Sequence, residues 1–243
     1  MQQRILTIIE NIKLCEGVYK MKLAGDVSNI SAPGQFINIK LNGFFLRRPI
    51  SVCDLEDGSV TIIYKILGKG TEALSKYEVG TKLDVLTGLG NGYDLSKSGD
   101  EPLLVGGGVG IPPLYLLAKK LKAEGKTVKV LLGFNKADEV FYLSEFENVA
   151  DELFVTTVDG SLGMKGFVNE PIGNIRHSYI YTCGPEAMLK SVYNADCGSG
   201  QFSFEERMGC GFGACMGCSC KTLTGSKRIC KEGPVMEKEE ILW

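Results

Sequence analysis

Five of the nine cysteines in this chain of 243 residues lie between Cys210 and Cys230. Cys210, Cys215 and Cys218 follow the spacing Cys-x4-Cys-x2-Cys, and Cys230 comes twelve positions after Cys218. This is the plant-type spacing for the thiolate ligands of a two-iron, two-sulfur cluster. Three glycines inside the loop let its backbone wrap tightly and turn N–H groups toward the sulfurs. The stretch therefore predicts single-electron transfer, and the rest of the chain should supply an electron donor.

A zinc site is the alternative that the cysteines alone leave open. Zinc motifs usually pair two short Cys-x-x-Cys hairpins, whereas here three closely spaced cysteines are followed by one distant cysteine. The spacing therefore favours the iron–sulfur cluster over zinc.

Composition limits the other classes of function. A net charge of −2 gives no electrostatic reason to expect nucleic acid or an anionic membrane as a partner. No apolar run approaches the roughly 20 residues of a membrane helix, and the N-terminus has no signal-peptide pattern, so we expect a cytoplasmic protein. Clustered cysteines of odd number argue for metal binding rather than a disulfide scaffold. His177 is the only histidine, which excludes a histidine-rich metal site.

Three regions that differ in composition and hydrophobic pattern follow one another along the chain. Residues 1–98 contain short β-rich runs separated by Gly, Asp, Asn and Pro, which predicts a small antiparallel β-barrel. Residues 99–199 alternate apolar strands with helical patterns, which predicts an α/β domain with a parallel sheet. Residues 200–243 form a Cys- and Gly-rich segment with little room for a core of its own. We expect a helix over residues 139–146 within the second region.

Four motifs outside the cysteine segment could bind phosphates or a cofactor ring. Arg47–Ser51 is expected between two strands, where an arginine could clamp a phosphate. Gly70 and Thr71 open a short helix, and N–H groups at a helix start suit a pyrophosphate. The glycine run 106–110 and the motif Cys183-Gly-Pro each follow a strand at the edge where parallel sheets bind ligands. Each motif is weak evidence when taken alone. The glycine run, for example, lacks the full Gly-x-Gly-x-x-Gly fingerprint.

Taken together and in order, these motifs resemble the ferredoxin–NADP reductase superfamily. With the cysteine segment at the C-terminal end, nearly the whole chain resembles the electron-transfer subunits of B-type dihydroorotate dehydrogenases. The most specific part of the resemblance is the run from Glu206 to Cys218, together with Cys230-Lys-Glu-Gly-Pro. The resemblance implies FAD in the barrel, NAD(H) in the α/β domain and a [2Fe-2S] cluster in the last segment.

The resemblance also implies a role for individual positions. FAD would be contacted by Arg48, Pro49, Ile50, Ser51, Ile63, Tyr64, Lys65, Gly70 and Thr71. NAD would be bound near Gly106, Gly107, Gly108, Gly110 and Cys183. The cluster ligands would be Cys210, Cys215, Cys218 and Cys230. Cys220 lies two residues after Cys218, and because such a pair is awkward for one iron we expect it to be a spectator. Asp138 and Glu139 favour NAD over NADP, whereas Lys136 argues mildly for NADP.

The implied reaction needs a flavin, since NADH gives up two electrons as a hydride and a cluster accepts only one. Nothing in the chain resembles a domain that oxidises dihydroorotate, so the resemblance places that step on an FMN-containing catalytic partner in a heterotetramer with two copies of each subunit. Two alternatives remain: a related subunit of a hydrogenase or of a ferredoxin-coupled transhydrogenase, and a zinc-stabilised nucleotide-binding regulator.

Overall fold

The computed structural model describes all 243 residues, and its first part is a closed antiparallel barrel of six strands. The barrel elements are β1 (Gln2–Cys15), β2 (Val18–Ala24), β3 (Phe36–Ile39), β4 (Arg48–Glu56), β5 (Ser59–Lys65), helix α1 (Lys69–Ser75) and β6 (Lys82–Leu89). The strands close in the order β1-β2-β5-β4-β3-β6. Alternate residues point inward, as the period of a strand requires, and form a fully buried core that includes Leu6, Ile8, Ile37 and Ile39. The predicted barrel is confirmed.

The expectation that Arg47–Ser51 lies between strands is wrong, because β4 already begins at Arg48. Residues 48–51 pair only with β3, and pairing between β4 and β5 starts at Val52 and Ile62. A proline is tolerated in such a stretch because one edge of the strand has no neighbour. The two strands therefore diverge at this end of the barrel, and both leave a free backbone edge there.

The second part is an α/β sheet with helices between its strands. Its elements are β7 (Pro102–Gly107), α2 (Pro112–Ala123), β8 (Lys129–Phe134), α3 (Leu143–Glu147), β9 (Glu152–Thr157), β10 (Met164–Lys165), α4 (Asn169–Ile172), β11 (Tyr179–Cys183), α5 (Glu186–Ala195) and β12 (Gly200–Ser203). These strands pair in parallel in the order β10-β9-β8-β7-β11-β12. The predicted parallel sheet is confirmed.

The helix expected over residues 139–146 is interrupted at Tyr142, and α3 begins only at Leu143. Tyr142 has the left-handed backbone angle φ of 62°, which a non-glycine residue adopts only when its surroundings enforce it. Its ring packs edge-on against Tyr115, and its hydroxyl contacts the buried thiol of Cys53 in the barrel. This tertiary contact overrides the helical pattern of the sequence.

The cysteine segment is tied into the sheet at both ends. It contains the hairpin β13 (Ser219–Thr222) and β14 (Gly225–Arg228), followed by β15 (Val235–Glu237). β15 pairs antiparallel with β12 and completes the sheet at that edge. Residues from 200 onward thus contribute two strands to the α/β sheet, and the domain boundaries at 98 and 199 stay predictions.

The barrel and the sheet share one buried interface. Val18, Cys53 and Ile63 of the barrel belong to the same hydrophobic cluster as Leu104 and Tyr181 of the sheet. Lys119 on α2 donates to both carboxylate oxygens of Asp54 on β4, at 2.7 and 2.9 Å. In the whole fold, no helix combines the length and the apolar character needed to cross a membrane.

A buried polar cluster joins the residue that follows β15 to the segments that precede β11 and β12. Lys238 Nζ donates to Asp196 Oδ2 at 3.0 Å and to the Gly198 carbonyl at 2.9 Å. The other oxygen, Asp196 Oδ1, lies 3.1 Å from His177 Nε2. Burial raises the pKa of Asp196, but the hydrogen bonds from Lys238 and neighbouring groups outweigh it, and the net pKa is below its ordinary value.

Replacing Lys238 with methionine should destabilise the protein strongly, because it leaves the buried Asp196 carboxylate without its cation. Removal of one partner of a buried pair costs about 3–5 kcal/mol, measured as the loss in apparent free energy of unfolding in urea. Lys76→Met is the matched control, since it removes an exposed pair with Glu72 worth about 0.5 kcal/mol or less. Equal losses for the two variants would contradict the prediction. Because the pKa of folded Asp196 is lowered, its contribution is complete above about pH 4 and is lost as pH falls through the folded pKa.

Candidate metal centre and nucleotide cleft

The hairpin β13–β14 explains why two cysteines twelve residues apart become neighbours. Ser219 pairs with Arg228, so the backbone N–H of Ile229 reaches the Cys218 carbonyl at 3.1 Å. The next N–H, that of Cys230, lies 3.5 Å from Cys218 Sγ. The turn of the hairpin therefore converts a sequence separation into a pair of adjacent thiols.

The other two predicted ligands form a second pair in the preceding loop. The N–H of Cys215 lies 3.4 Å from Cys210 Sγ, and the N–H of Cys210 lies 3.4 Å from Cys215 Sγ. The N–H of Ala214 also points at Cys210 Sγ, at 3.2 Å. Backbone N–H groups directed at sulfur stabilise the negative charge of a thiolate. The loop is thus arranged around charged sulfurs, as its glycines predict.

The thiol environments differ between the two pairs. Burial raises the pKa of Cys210, but the backbone N–H groups around it lower it more, to about 6. Burial and the neighbouring Cys218 thiol raise the pKa of Cys230 to about 12. Cys218 and Cys230 are buried, whereas Cys215 is exposed. The set therefore has an inner pair and an outer pair, with the exposed edge at Cys215.

This donor set fits a two-iron cluster. Each iron of such a cluster takes two protein thiolates, and the four cysteines are arranged as two pairs. Nowhere does the structure gather three or more His, Cys, Asp or Glu side chains around the position of a single metal ion. The assignment of the four as ligands stays a prediction that this pairing supports.

Cys220 is turned away from the two pairs. It lies in β13 opposite Lys227 and lines a separate small cavity of about 120 Å³ with Ile229 and Trp243. Only Cys218, its neighbour in sequence, is among the thiols that influence its pKa. The geometry is that expected of a spectator.

An ion pair holds the loop against the hairpin. Arg228 Nε donates to Glu232 Oε2 at 2.9 Å, and Arg228 Nη1 donates to the Gly213 carbonyl at 2.7 Å. The hydrogen bond from Arg228 lowers the pKa of Glu232 to about 2. Sequence reasoning missed both residues, because nothing in their spacing distinguishes them from other surface charges.

A cleft of about 860 Å³ lies between the barrel and the carboxyl ends of the sheet strands. Predicted residues from both domains line it: Pro49, Ser51, Lys65, Gly107, Gly108, Gly110 and Cys183. Ser203–Glu206 and Met208, just before the first predicted cluster cysteine, line it too. Phe36 borders the cleft and belongs to the same hydrophobic cluster as Cys218 and Cys230. The cleft and the cysteines are therefore adjacent parts of one site.

Arg48 and Gly70 lie against each other and do not line the cleft, although Pro49, the neighbour of Arg48, does. A side chain on Gly70 would have its Cβ 2.1 Å from Arg48 Nε, so the guanidinium lies directly against the glycine backbone. Thr71 Oγ1 donates to the Gly68 carbonyl and accepts from the Leu67 N–H. The threonine hydroxyl thus shapes the loop, and the guanidinium is the group suited to a phosphate.

Arg47 is occupied elsewhere. Its Nη2 donates to both carboxylate oxygens of Asp84 on β6, at 2.9 and 3.0 Å. This ion pair, together with the hydrogen bond from Arg47 Nη1 to the Asp84 carbonyl, fastens the start of β4 to β6. Of the two adjacent arginines, only Arg48 is therefore available to a ligand.

Of the nine predicted flavin contacts, Arg48, Gly70 and Thr71 do not line the cleft, and neither do Tyr64, Ile50 and Ile63. Tyr64 points into the barrel core, where its hydroxyl donates to Asn11 Oδ1 at 3.1 Å. Ile50 packs against the same core, and Ile63 is buried at the interface between the domains. Contact between Ile50, Ile63 or Tyr64 and a ligand in the cleft would have to come from the free backbone edges of β4 and β5.

The glycine run packs closely against the Cys183 motif. A Cβ on Gly110 would lie 2.4 Å from the Cys183 carbonyl oxygen, so only glycine permits this approach. Gly106 is buried in β7 and packs against Ile111, whereas no atom would meet a Cβ on Gly108 within 4 Å. Burial raises the pKa of the Cys183 thiol to about 12, which keeps it neutral beside the cleft.

At the far end of the cleft, acidic and polar groups follow β8. Asn135 Nδ2 donates to Glu139 Oε2 at 2.8 Å, and both residues line the cleft. Asp138 does not line it and is paired with Lys136 at 3.5 Å on the surface. The carboxylate expected to favour NAD is therefore Glu139.

Two family models match the chain. The model described as the iron–sulfur cluster binding domain of dihydroorotate dehydrogenase B matches residues 205–242. The model of the oxidoreductase NAD-binding domain matches residues 104–194.

Relatives match over almost the full length. The chain is 43% identical to the dihydroorotate dehydrogenase B (NAD⁺) electron transfer subunit of Fusobacterium nucleatum, covering 97% of this chain and 96% of that protein. It is 42% identical to the subunit of the same name from Bacillus pumilus, covering 99% and 98%.

Solved structures share the fold. A chain of NADH-dependent reduced ferredoxin–NADP oxidoreductase superimposes with a TM-score of 0.90 at 32% identity, covering 99% of this chain and 90% of that one. A ferredoxin–NADP⁺ reductase from Neisseria gonorrhoeae, solved with FAD and NADP, has a TM-score of 0.71 at 14% identity and covers 80% of this chain and 90% of that one.

Replacing Cys220 and Cys230 separately with serine should separate ligand from spectator. We expect Cys220→Ser to retain full iron and acid-labile sulfide, whereas Cys230→Ser should lose the visible absorbance of the cluster, because an iron would lack one thiolate. The measurement is iron, sulfide and zinc per chain after anaerobic purification. Loss of the cluster from Cys220→Ser with retention in Cys230→Ser would refute the ligand set, and a colourless wild-type protein with one zinc would refute the cluster.

Proposed function

The chain belongs to the family of dihydroorotate dehydrogenase B electron transfer subunits, and we propose that it carries its redox groups on the residues described above. FAD is assigned to the diverging ends of β4 and β5 with Arg48, Gly70 and Thr71. NAD(H) is assigned to the glycine run and Cys183. The cluster is assigned to the two cysteine pairs.

Electrons pass through this subunit between NAD⁺ and a catalytic subunit, by way of FAD and a [2Fe-2S] cluster, in pyrimidine biosynthesis. The observation that carries this function is the 43% identity over 97% of the chain. A bound flavin exchanges electron pairs with a nicotinamide and single electrons with a cluster. Dihydroorotate itself is oxidised on the catalytic partner.

The residues of this chain bring the two cofactors together in one cleft. Pro49 and Ser51 lie on the barrel wall, and Cys183 lies on the opposite wall at the end of β11. A nicotinamide held at Cys183 therefore faces a flavin held on β4, which is the proximity that hydride transfer requires. With its raised pKa, the Cys183 thiol keeps its proton at physiological pH. Hydride transfer does not need that proton.

Arg48 and the loop before α1 supply the phosphate contact. The guanidinium lies against Gly70 and also stacks 5.0 Å from the Phe44 ring centroid. A guanidinium fixed in this way can make two parallel hydrogen bonds to a pyrophosphate. The observed contact between Arg48 and Gly70 supports placing the pyrophosphate here.

The catalytic partner is proposed to contain FMN and to form a heterotetramer with two copies of each subunit. The exposed edge of the cysteine loop, with Cys215, Phe212 and Met216 at the surface, is suited to meet it. Electron transfer falls steeply with distance, so the partner's flavin must approach this edge. A cytoplasmic location is also proposed, because cluster-binding cysteines must stay reduced.

A second candidate is a subunit of a ferredoxin-coupled transhydrogenase. The structural match to NADH-dependent reduced ferredoxin–NADP oxidoreductase, with a TM-score of 0.90, favours it as the alternative. Its 32% identity is lower than the 43% to the Fusobacterium nucleatum subunit. The two functions share the same three redox groups and differ in the partner.

Replacing Arg48 with alanine should weaken FAD binding. Loss of a charge-assisted hydrogen bond costs about 1.5–3 kcal/mol, which corresponds to a Kd for FAD raised by about 10- to 150-fold. The measurement is FAD titration of flavin-depleted protein. Arg176→Ala is the control, because this arginine is exposed and precedes β11 at the end of the strand away from Cys183 and the cleft. An unchanged Kd in Arg48→Ala would place the phosphates elsewhere.

Purification of the native complex should decide the physiological reaction. We expect an FMN-containing partner to co-purify, and the complex to form orotate from dihydroorotate with NAD⁺ as acceptor. The isolated chain should contain FAD, iron and sulfide, and NADH should bleach its flavin absorbance. Co-purification with a ferredoxin- and NADP-dependent partner instead, without orotate formation, would favour the second candidate.

A further inference from the structure

Strand β3 lies between the cleft and the cysteine loop, and its residues alternate between two environments. Ile37 and Ile39 point into the barrel core, whereas Phe36 and Asn38 point outward. The outward pair is nevertheless only 3% and 1% exposed. An outward asparagine that is almost completely buried needs a reason, because polar side chains are costly to bury without partners.

One side of Asn38 holds the cysteine loop. Its Nδ2 donates to the Cys210 carbonyl at 3.2 Å. The following residue, Gly211, has a φ of 78°, and a Cβ there would lie 2.3 Å from Asn38 Nδ2. The loop backbone therefore passes directly over the amide, which fixes the position of Cys210 relative to the barrel.

The other side of Asn38 faces the strand proposed to hold the flavin. Asn38 is paired with Pro49 on β4, and Pro49 lines the cleft. The Asn38 carbonyl accepts a hydrogen bond from Arg47, which is itself clamped to Asp84. Asn38 is thus held rigidly, one strand from the cleft and one hydrogen bond from Cys210.

Half of the Asn38 amide is still unpaired. Its Oδ1 is buried and has no hydrogen-bond partner. Buried acceptors without a partner are rare in native proteins, and each calls for an explanation. This one lies at the junction of the two proposed redox sites, on the same amide that holds the Cys210 backbone.

We propose that Asn38 is a positioning residue for electron transfer between the flavin and the cluster. Its Nδ2 holds the backbone of Cys210 against β3, the strand that pairs with the proposed flavin strand β4, and so sets the separation between the two. This inference rests on the proposed function and adds to it a residue that neither ligates iron nor lines the cleft. The step affected is the transfer of a single electron from the NADH-reduced flavin to the cluster.

Two variants and one matched control test the proposal in the full-length chain with its cofactors. Asn38→Leu keeps the volume of the side chain and removes both hydrogen-bonding groups. Asn38→Ser is smaller and polar, and it decides the question if the leucine variant does not fold or loses the cluster. Asn29→Leu is the control, because Asn29 Nδ2 also lies against a glycine, Gly88, and Asn29 does not line the cleft.

The readouts are anaerobic stopped-flow absorbance after mixing with NADH and an EPR-monitored redox titration. We expect the Asn38 variants to reduce their flavin at the wild-type rate and then to reduce the cluster about tenfold more slowly, since small displacements of a reacting group are costly. Their cluster midpoint potential should differ from that of the wild type, because hydrogen bonds and exposure around the sulfurs set it. Asn29→Leu should match the wild type in both.

Wild-type rates and potentials in Asn38 variants that hold full iron and flavin would overturn the proposal. Failure of the proposed function would look different, because the wild-type chain itself would then lack NADH-dependent reduction of a flavin or a cluster.

Discussion

The arrangement of both sites depends on the antiparallel pairing of β15 with β12. β12 lies beside β11, which ends at Cys183 on the cleft, while β15 begins five positions after Cys230. The same short stretch also contacts the barrel, because Asn91 Nδ2 donates to the Val235 carbonyl at 2.7 Å. One backbone segment thus touches the nucleotide sheet, the barrel and the cysteines. The cysteine loop and the cleft are therefore held relative to each other by strand hydrogen bonds, which are directional, together with buried or half-buried amide side chains such as Asn91.

The barrel forms its wall of the cleft where β4 and β5 diverge at one end. Residues 52–56 of β4 pair with residues 59–62 of β5. Residues 48–51 of β4 pair only with β3, and residues 63–65 of β5 pair only with β2. Backbone groups on their other edge have no strand partner, and a flat, polar ring that supplies both donors and acceptors would satisfy them. The fold thereby explains why so few side chains of this stretch face the cleft.

The sequence predicted the barrel, the parallel sheet and a cysteine loop suited to a cluster because each of these depends on short-range patterns. Alternation and turn residues identify strands, and the spacing of cysteines follows from the geometry of their ligand loop. The break at Tyr142 could not be predicted in this way, since it results from contact with Cys53, almost ninety residues earlier in the chain. Asn38 also gave no signal, because its burial comes from a loop more than 170 positions later.

The adjacent arginines mark the limit of the sequence argument most clearly. Neighbouring residues at the start of a strand point in opposite directions, so at most one of Arg47 and Arg48 can face a ligand, but the sequence does not say which. The choice depends on the register of β3, β4 and β6, which is fixed by closure of the whole barrel. That register brings Asp84 to Arg47 and leaves Arg48 against Gly70. Because Arg47 is paired with Asp84, Arg48 is the arginine that remains free to bind a ligand.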